Sequence, residues 1–173
     1  MSQDVGGEVA TTRPRATVER TSDREMVVTR AVNGPARLVF EAWTRPELFE
    51  RWWVPRSLPM SLVSCEMDVR VGGGYRLVLG YEGSTMAFFG RYLEVAPPSR
   101  LVWTNDEQHG GGTVTTLTLE ERGATTLVTV HDLYPSKEAL DEAIASGSTS
   151  GMPEQLDQLD GLLPTLVASP SGA

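Results

Sequence analysis

The sequence predicts an α+β domain: a curved antiparallel sheet packed against a long C-terminal helix. Three observations carry this. From Ser61 to Leu133 the chain breaks into short segments rich in β-branched residues or alternating apolar and polar, the pattern of strands. The joints between them are mostly short and made of turn formers: Gly72-Gly73-Gly74, Glu82-Gly83-Ser84, Pro97-Pro98-Ser99 and Arg122-Gly123. Consecutive strands joined this way pair antiparallel. Finally, Met152, Leu156, Leu159, Leu162 and Leu163 recur at helical spacing and form one apolar stripe, opposed by Asp157, Gln158 and Asp160.

Taken in order, residues 1–15 are rich in Gly, Thr and charge and read as a flexible tail, as do residues 166–173; the domain spans 16–165. The first element, from Thr17 to Val32, reads as a strand on its β-branched residues Val27, Val28, Thr29 and Val32. Pro35 suits the first turn of a helix that puts Phe40 and Trp43 on one stripe. Thr44-Arg45-Pro46-Glu47 has the spacing of a capping box for a second short helix, stopped by Pro55. On it Leu48 and Trp52, and Phe49 and Trp53, lie four apart. Val63, Cys65, Met67 and Val69 then alternate with polar residues. Further strands fall at Tyr75–Gly80, Met86–Val95, Leu101–Asn105, Thr113–Glu121 and Thr125–Leu133, giving about six or seven in all. Ser136 caps a helix that Gly147 ends, and the final helix holds Pro153 in its first turn and closes at Pro164.

At 173 residues the chain is long enough for one domain with a substantial core. No apolar run is long enough to cross a membrane, and Met1–Glu8 lacks the basic-then-apolar pattern of a signal peptide. A single cysteine, Cys65, precludes an internal disulfide. A cytoplasmic protein is expected. The net charge of −8 is uneven: residues 106–173 hold 11 Asp and Glu against Arg122 and Lys137. An acidic half of this kind disfavours nucleic acid and anionic membranes.

Five segments together make the chain recognisable: Phe40 to Pro55 (FEAWTRPELFERWWVP), Cys65 to Gly73 (CEMDVRVGG), Val95 to Thr104 (VAPPSRLVWT), Thr126 to Ser136 (TLVTVHDLYPS) and Ser150 to Leu163 (SGMPEQLDQLDGLL). The chain resembles the Hsp90 ATPase activator homologue family of the START-like (SRPBCC) superfamily over about residues 24–165. The resemblance implies the helix-grip fold, in which a curved antiparallel sheet grips the last helix and leaves a cavity between them. It implies three kinds of function: binding of a small molecule, polyketide cyclase or dehydratase chemistry, and a co-chaperone role. Two positions depart from the family's habit. Pro153 stands where Ala is common, and Asp132 where an apolar residue is common.

In such a fold the two short helices cap one end of the cavity. Neighbours on a helix point about 100° apart, so of Trp52 and Trp53 one faces the pocket or core and the other turns to the rim. Trp103 shares a strand face with Leu101 and Asn105. On the last strand Val128, Val130 and Asp132 form the apolar set and point inward, which brings Asp132 to the cavity wall or to a wet strand end. A carboxylate on that wall must be hydrated, protonated or paired, with Arg76 or Arg91 at hand. The expected ligand-binding residues are Trp43, Trp52, Trp53, Phe89, Trp103, Met152 and Leu156, with Asp132 and Tyr134 as polar handles.

Catalytic signatures are sparse. Two histidines, His109 and His131, cannot supply a three-histidine metal site, and Glu66, Asp68, Asp132 and His131 form no ligand motif. Cys65 has no neighbouring base and reads as a buried, inert thiol. Gly72-Gly73-Gly74 lies between strands, whereas phosphate-cradling glycines precede helices. No cofactor, metal or catalytic group is therefore expected. The expected partner is a small hydrophobic ligand, ahead of a chaperone, with monomer and homodimer both open.

Overall fold

The computed structural model describes residues 15–107 and 112–168. Eight strands form one antiparallel sheet: β1 (Thr17–Ser22), β2 (Glu25–Val32), β3 (Met60–Met67), β4 (Gly74–Tyr81), β5 (Ser84–Ala96), β6 (Arg100–Asn105), β7 (Thr113–Arg122) and β8 (Thr125–Leu133). Helices α1 (Ala36–Thr44) and α2 (Pro46–Phe49) follow β2; α3 (Lys137–Ala145) and α4 (Met152–Ala168) follow β8. The strand order is β1-β2-β8-β7-β6-β5-β4-β3, an open curved sheet whose edges are β1 and β3. β3 through β8 run as a meander, and β2 closes on β8, so the start and end of the sheet lie side by side. Helix α4 packs across β2 and α1. The expected helix-grip architecture is the one observed.

The sheet has one strand more than the expected six or seven. The segment Thr17–Val32 is a hairpin, turning at Asp23-Arg24, with Thr17 opposite Thr29 and Arg20 opposite Met26. The turn carries no Gly or Pro, and Ser22-Asp23 is a weaker turn signal. Of the tail expected at 1–15, residues 1–14 lie outside the described residues, as do residues 169–173 of the tail expected at 166–173.

Curvature comes from identifiable defects. In β3 the pairing slips between Leu62 and Ser64. Val63 is the extra residue and is exposed, whereas Met60, Leu62, Cys65 and Met67 pack on the core. The simple alternation from Val63 to Val69 is thus broken by a bulge, which also bends the strand. In β5 the pairing slips between Tyr92 and Glu94. Just before it, Gly90 lies so close to β6 that a Cβ there would sit 1.9 Å from the Thr104 carbonyl oxygen. β5 passes from β4 to β6 at this point, and only glycine permits that approach.

The helices differ from expectation at two ends. α2 is a single turn, Pro46–Phe49, and its capping box does not form. Thr44 Oγ1 instead donates to the Phe40 carbonyl at 2.8 Å, and Glu47 accepts from Arg45. Arg45 already stands in extended conformation before Pro46, so Thr44 belongs to the end of α1. α4 continues through Pro164 to Ala168. Leu166, beyond the proline, packs on the core, which favours the added turn over a stop at Pro164. Pro153 does sit in the first turn, where its missing N–H costs nothing. Ser136 caps α3, accepting from Ala139 N at 3.0 Å, and Gly147 follows its end at φ 82°. The N-terminus of α1 has no cap of its own; Glu121 of β7 accepts from Ala36 N at 2.9 Å.

The main core unites Val28 and Val32 of β2, Val39, Phe40 and Trp43 of α1, Leu117 and Leu119 of β7, Val128 and Val130 of β8, and Leu156, Leu159 and Leu163 of α4. One charge is buried with them. Arg30, 5% exposed, lies on the inner face of β2 and pairs with Asp157 at 2.7 Å and Asp160 at 3.1 Å. Asp160 also accepts from Asn33 N at 2.7 Å. These bonds pin α4 to the start of the sheet. Among the described residues, no helix is long and apolar enough to cross a membrane.

Candidate functional site

Between the sheet, the α1–α2 end and the start of α4 lies a cavity of about 450 Å³. Its walls are largely aromatic and aliphatic: Trp43, Phe49, Trp53, Met60, Tyr75, Leu77, Phe88, Tyr92, Trp103, Val130 and Met152 all contribute. A second depression, of about 490 Å³, runs along the outer side of α4 beneath Arg51, Arg56, Asp157 and Gly161. All four of those residues are exposed and no aromatic ring lines it, so it lacks the walls of a small-molecule site.

The aromatic end is built around Trp43, whose ring meets Trp52 (4.8 Å between centroids), Trp103 (5.6 Å) and Trp53 (5.9 Å). Trp52 and Trp53 divide as neighbours must, but only one reaches the cavity. Trp52, 1% exposed, is core, and its Nε1 donates to the Ala42 carbonyl at 2.9 Å. Trp53 is half-buried, stacks on Phe49 at 4.6 Å and lines the cavity.

The segment 52–57 that carries them is held by α4. Gln158 Nε2 donates to the carbonyls of Trp52 (2.8 Å) and Val54 (2.9 Å), and its Oε1 accepts from Arg56 N at 2.8 Å. Gln155 Nε2 donates to the Trp53 carbonyl at 2.5 Å, and Glu154 accepts from Ser57 N and Oγ at 2.9 and 2.6 Å. Glu154, Gln155 and Gln158 of α4 thus form a clasp on the cavity's rim.

The polar end is a row across three strands. Asn105 of β6 donates through Nδ2 to Thr115 Oγ1 of β7 at 2.9 Å, and Thr115 Oγ1 donates to Asp132 Oδ1 of β8 at 2.5 Å. Tyr75 Oη donates to the Thr104 carbonyl at 2.7 Å. The alternation of β8 is unbroken, so Asp132 follows Val128 and Val130 to the cavity wall. Neither Arg76 nor Arg91 reaches it. Both are exposed, because their strand positions point away from the cavity, and Thr115 is the partner instead. Burial raises the pKa of the Asp132 carboxyl above the ordinary range, opposed in part by the Thr115 hydrogen bond. Burial likewise raises that of Glu107, another lining residue, which accepts from Phe89 N at 3.3 Å. It pushes the Tyr134 phenol up to about 12, with the Asp132 charge adding to the effect.

Of the residues expected from the sequence, the structure brings Trp43, Trp53, Trp103, Asp132, Tyr134 and Met152 to this cavity. Three are not on its wall. Trp52 is core. Leu156 is fully buried in the main core. Phe89 is 41% exposed, because it pairs with outward-facing Arg76 while its neighbour Phe88 pairs with Leu77 and turns inward. Cys65 is half-buried rather than enclosed, with burial pushing its thiol up to about 11. His109 lies outside the described residues, and His131 faces the opposite side of the sheet, 2.8 Å from Glu25.

Sequence reasoning missed Thr113, Thr115 and Glu107. A signal existed for the threonines: Leu117 and Leu119 mark the inner face of β7, and counting back in twos reaches Thr115 and Thr113. Nothing comparable marked Glu107, whose position depends on where the chain leaves β6.

Solved structures share this architecture. A protein of Rhodobacter sphaeroides is 26% identical, with 87% of this chain and 99% of that one covered at a TM-score of 0.79. One of Nitrosomonas europaea is 25% identical, covering 85% and 98% at 0.77. One of Staphylococcus epidermidis is 26% identical, covering 86% and 94% at 0.73. No curated protein matches the chain. The profile described as Activator of Hsp90 ATPase homolog 1-like protein matches residues 33–164, which span α1 through most of α4 and nearly every residue that builds the cavity. By that match the chain belongs to the Activator of Hsp90 ATPase homolog 1-like family.

Proposed function

We propose that this protein binds a small apolar or aromatic molecule in the cavity beneath α1 and α2. The carrying observation is the cavity itself: about 450 Å³, within the range of small-molecule sites, with aromatic walls and a few convergent polar groups at one end. Trp43, Trp53, Trp103 and Met152 supply the apolar contact, and Asp132 and Tyr134 orient the ligand. The test is native mass spectrometry of the purified protein, followed by titration with a hydrophobic dye and a panel of aromatic compounds. A retained small molecule, or saturable quenching of tryptophan fluorescence, is expected. An empty protein that shows no saturable change with any compound overturns the reading.

A second reading has one observation behind it. Asp132 lines the cavity as a carboxyl with a raised pKa, beside Tyr134, as a proton-transferring group in a cyclase or dehydratase would be. Turnover of a polyketide-like chain by the wild type, lost in Asp132→Asn, would favour it; turnover unaffected by that change removes it.

A further inference from the structure

The polar groups of the cavity have a consistent sign. Two carboxyls, Asp132 and Glu107, line it, and no Arg, Lys or His does so among the described residues. Eight aromatic rings share the wall, their negative faces favouring a cation over an anion. Asp132 receives one hydrogen bond, from Thr115, on Oδ1. Close by on the same face, two residues along β7 from Thr115, Thr113 is 5% exposed, and its Oγ1 has no hydrogen-bond partner among the described residues. Trp43 is 2% exposed, and its Nε1 is likewise unpartnered. Both residues belong to the cavity wall, and a well-packed interior leaves few such atoms.

We infer that the cavity selects an organic amine, a ligand with an ammonium group on an aromatic body, over neutral or anionic molecules of the same shape. The inference rests on the small-molecule reading above and adds the charge. The ammonium donates to the Asp132 carboxylate, whose Oδ1 already accepts from Thr115, and the aromatic body packs against the rings of the wall. A carboxylate ligand meets two acidic groups and no cation. The groups around Asp132 support the assignment: Met26 faces it from β2, Thr115 from β7 and Tyr134 stands just past the end of β8, while His131 turns to the other face of the sheet and pairs with Glu25. No protein cation competes for the carboxylate from these positions. Burial raises the pKa of this carboxyl, so below that pKa binding of an amine is linked to loss of its proton, and binding strengthens as pH rises through it.

The test is calorimetric titration of the wild-type protein with three probes sharing one body: a naphthylethylamine, the corresponding naphthylethanol and naphthylacetate. The amine is expected to bind about tenfold more tightly than the alcohol near neutral pH, and the acetate more weakly than either, as one buried charge-assisted contact requires. Amine affinity should rise as pH climbs through the Asp132 pKa, which lies above the ordinary aspartate value of about 3.9, while alcohol affinity stays level. In Asp132→Asn the amine's advantage over the alcohol should fall to about threefold or less. The pH series on the wild-type protein tests the same carboxyl without any substitution. Alcohol or acetate binding as tightly as the amine overturns the charge selection and leaves the small-molecule reading standing. Failure of all three probes, together with an empty protein in the mass spectrum, overturns both.

Discussion

Trp52 and Trp53 are adjacent in the chain, yet their rings stand 77° apart with centroids separated by 5.5 Å, and they serve different ends of the molecule. Trp52 is closed into the core by its bond to Ala42, whereas Trp53 stacks on Phe49 and faces the cavity. Trp52→Ala should therefore cost about 3–5 kcal/mol of stability, the range for emptying a buried aromatic site. Trp53→Ala should cost less in urea denaturation and should weaken any cavity ligand instead. Equal loss of stability from the two variants would contradict this division.

The clasp of α4 on the rim gives a second prediction. Gln158→Ala removes three hydrogen bonds to the backbone of Trp52, Val54 and Arg56 and leaves those groups without partners. A loss of about 2–4 kcal/mol is expected, since stranded buried polar groups cost more than the bonds themselves contribute. Hydrogen exchange should show faster opening of residues 52–57 than of β7 and β8. A change confined to global stability, with no local effect on that segment, would argue against the clasp.

Asp132 predicts a pH dependence with a definite sign. Its pKa is raised in the folded protein, so the unfolded chain loses this proton first. The contribution to stability is intact below the unfolded carboxylate pKa of about 3.9 and declines as pH rises toward the folded value. Asp132→Asn keeps the size and cannot ionise, so it should be at least as stable as the wild type near neutral pH. The difference between the two should shrink on acidification. A variant less stable at neutral pH than at acid pH, relative to wild type, would reverse the sign and refute the assignment.

Gly90 offers the sharpest steric test. Gly90→Ala places a methyl group 1.9 Å from a backbone oxygen that cannot move without opening the β5–β6 pairing. Overpacking at backbone should cost about 3 kcal/mol, at the upper end for inserted methylenes. Gly83→Ala, in an exposed turn with open space at its Cβ but a φ of 82°, should cost only the smaller penalty of that backbone conformation, about 1 kcal/mol. Thermal denaturation of the pair separates the two effects.

Much of the fold was legible because its signals are local. The stripe from Met152 to Leu163 and the turns at Gly72-Gly73-Gly74 and Arg122-Gly123 need no tertiary information to be read, and they place α4 and most strands correctly. Errors fell where a tertiary contact overrides a local rule. Pro164 is carried within α4 because Leu166 still has core to cover. Thr44 bonds backward to Phe40 rather than forward as a cap. Val63 leaves the inner face because a bulge intervenes. At the site, period-two counting worked on β8, where Asp132 follows two valines, and on β6, where Asn105 follows Trp103. On β5 the same counting gives no answer, because Phe88 and Phe89 are equally apolar and only register distinguishes them. Hydrogen bonds between distant segments, such as Gln158 to Trp52, have no signature in either segment alone.

The ion pairs from Arg30 to Asp157 and Asp160 join positions more than a hundred residues apart, and α4 contributes Met152 and Gln155 to the cavity wall. A growing chain therefore has no finished binding chamber until its final helix has emerged and docked. Any guest molecule then adds its affinity to that docking step and to no earlier one, so occupancy should slow detachment of α4 and shield it from proteolytic cleavage.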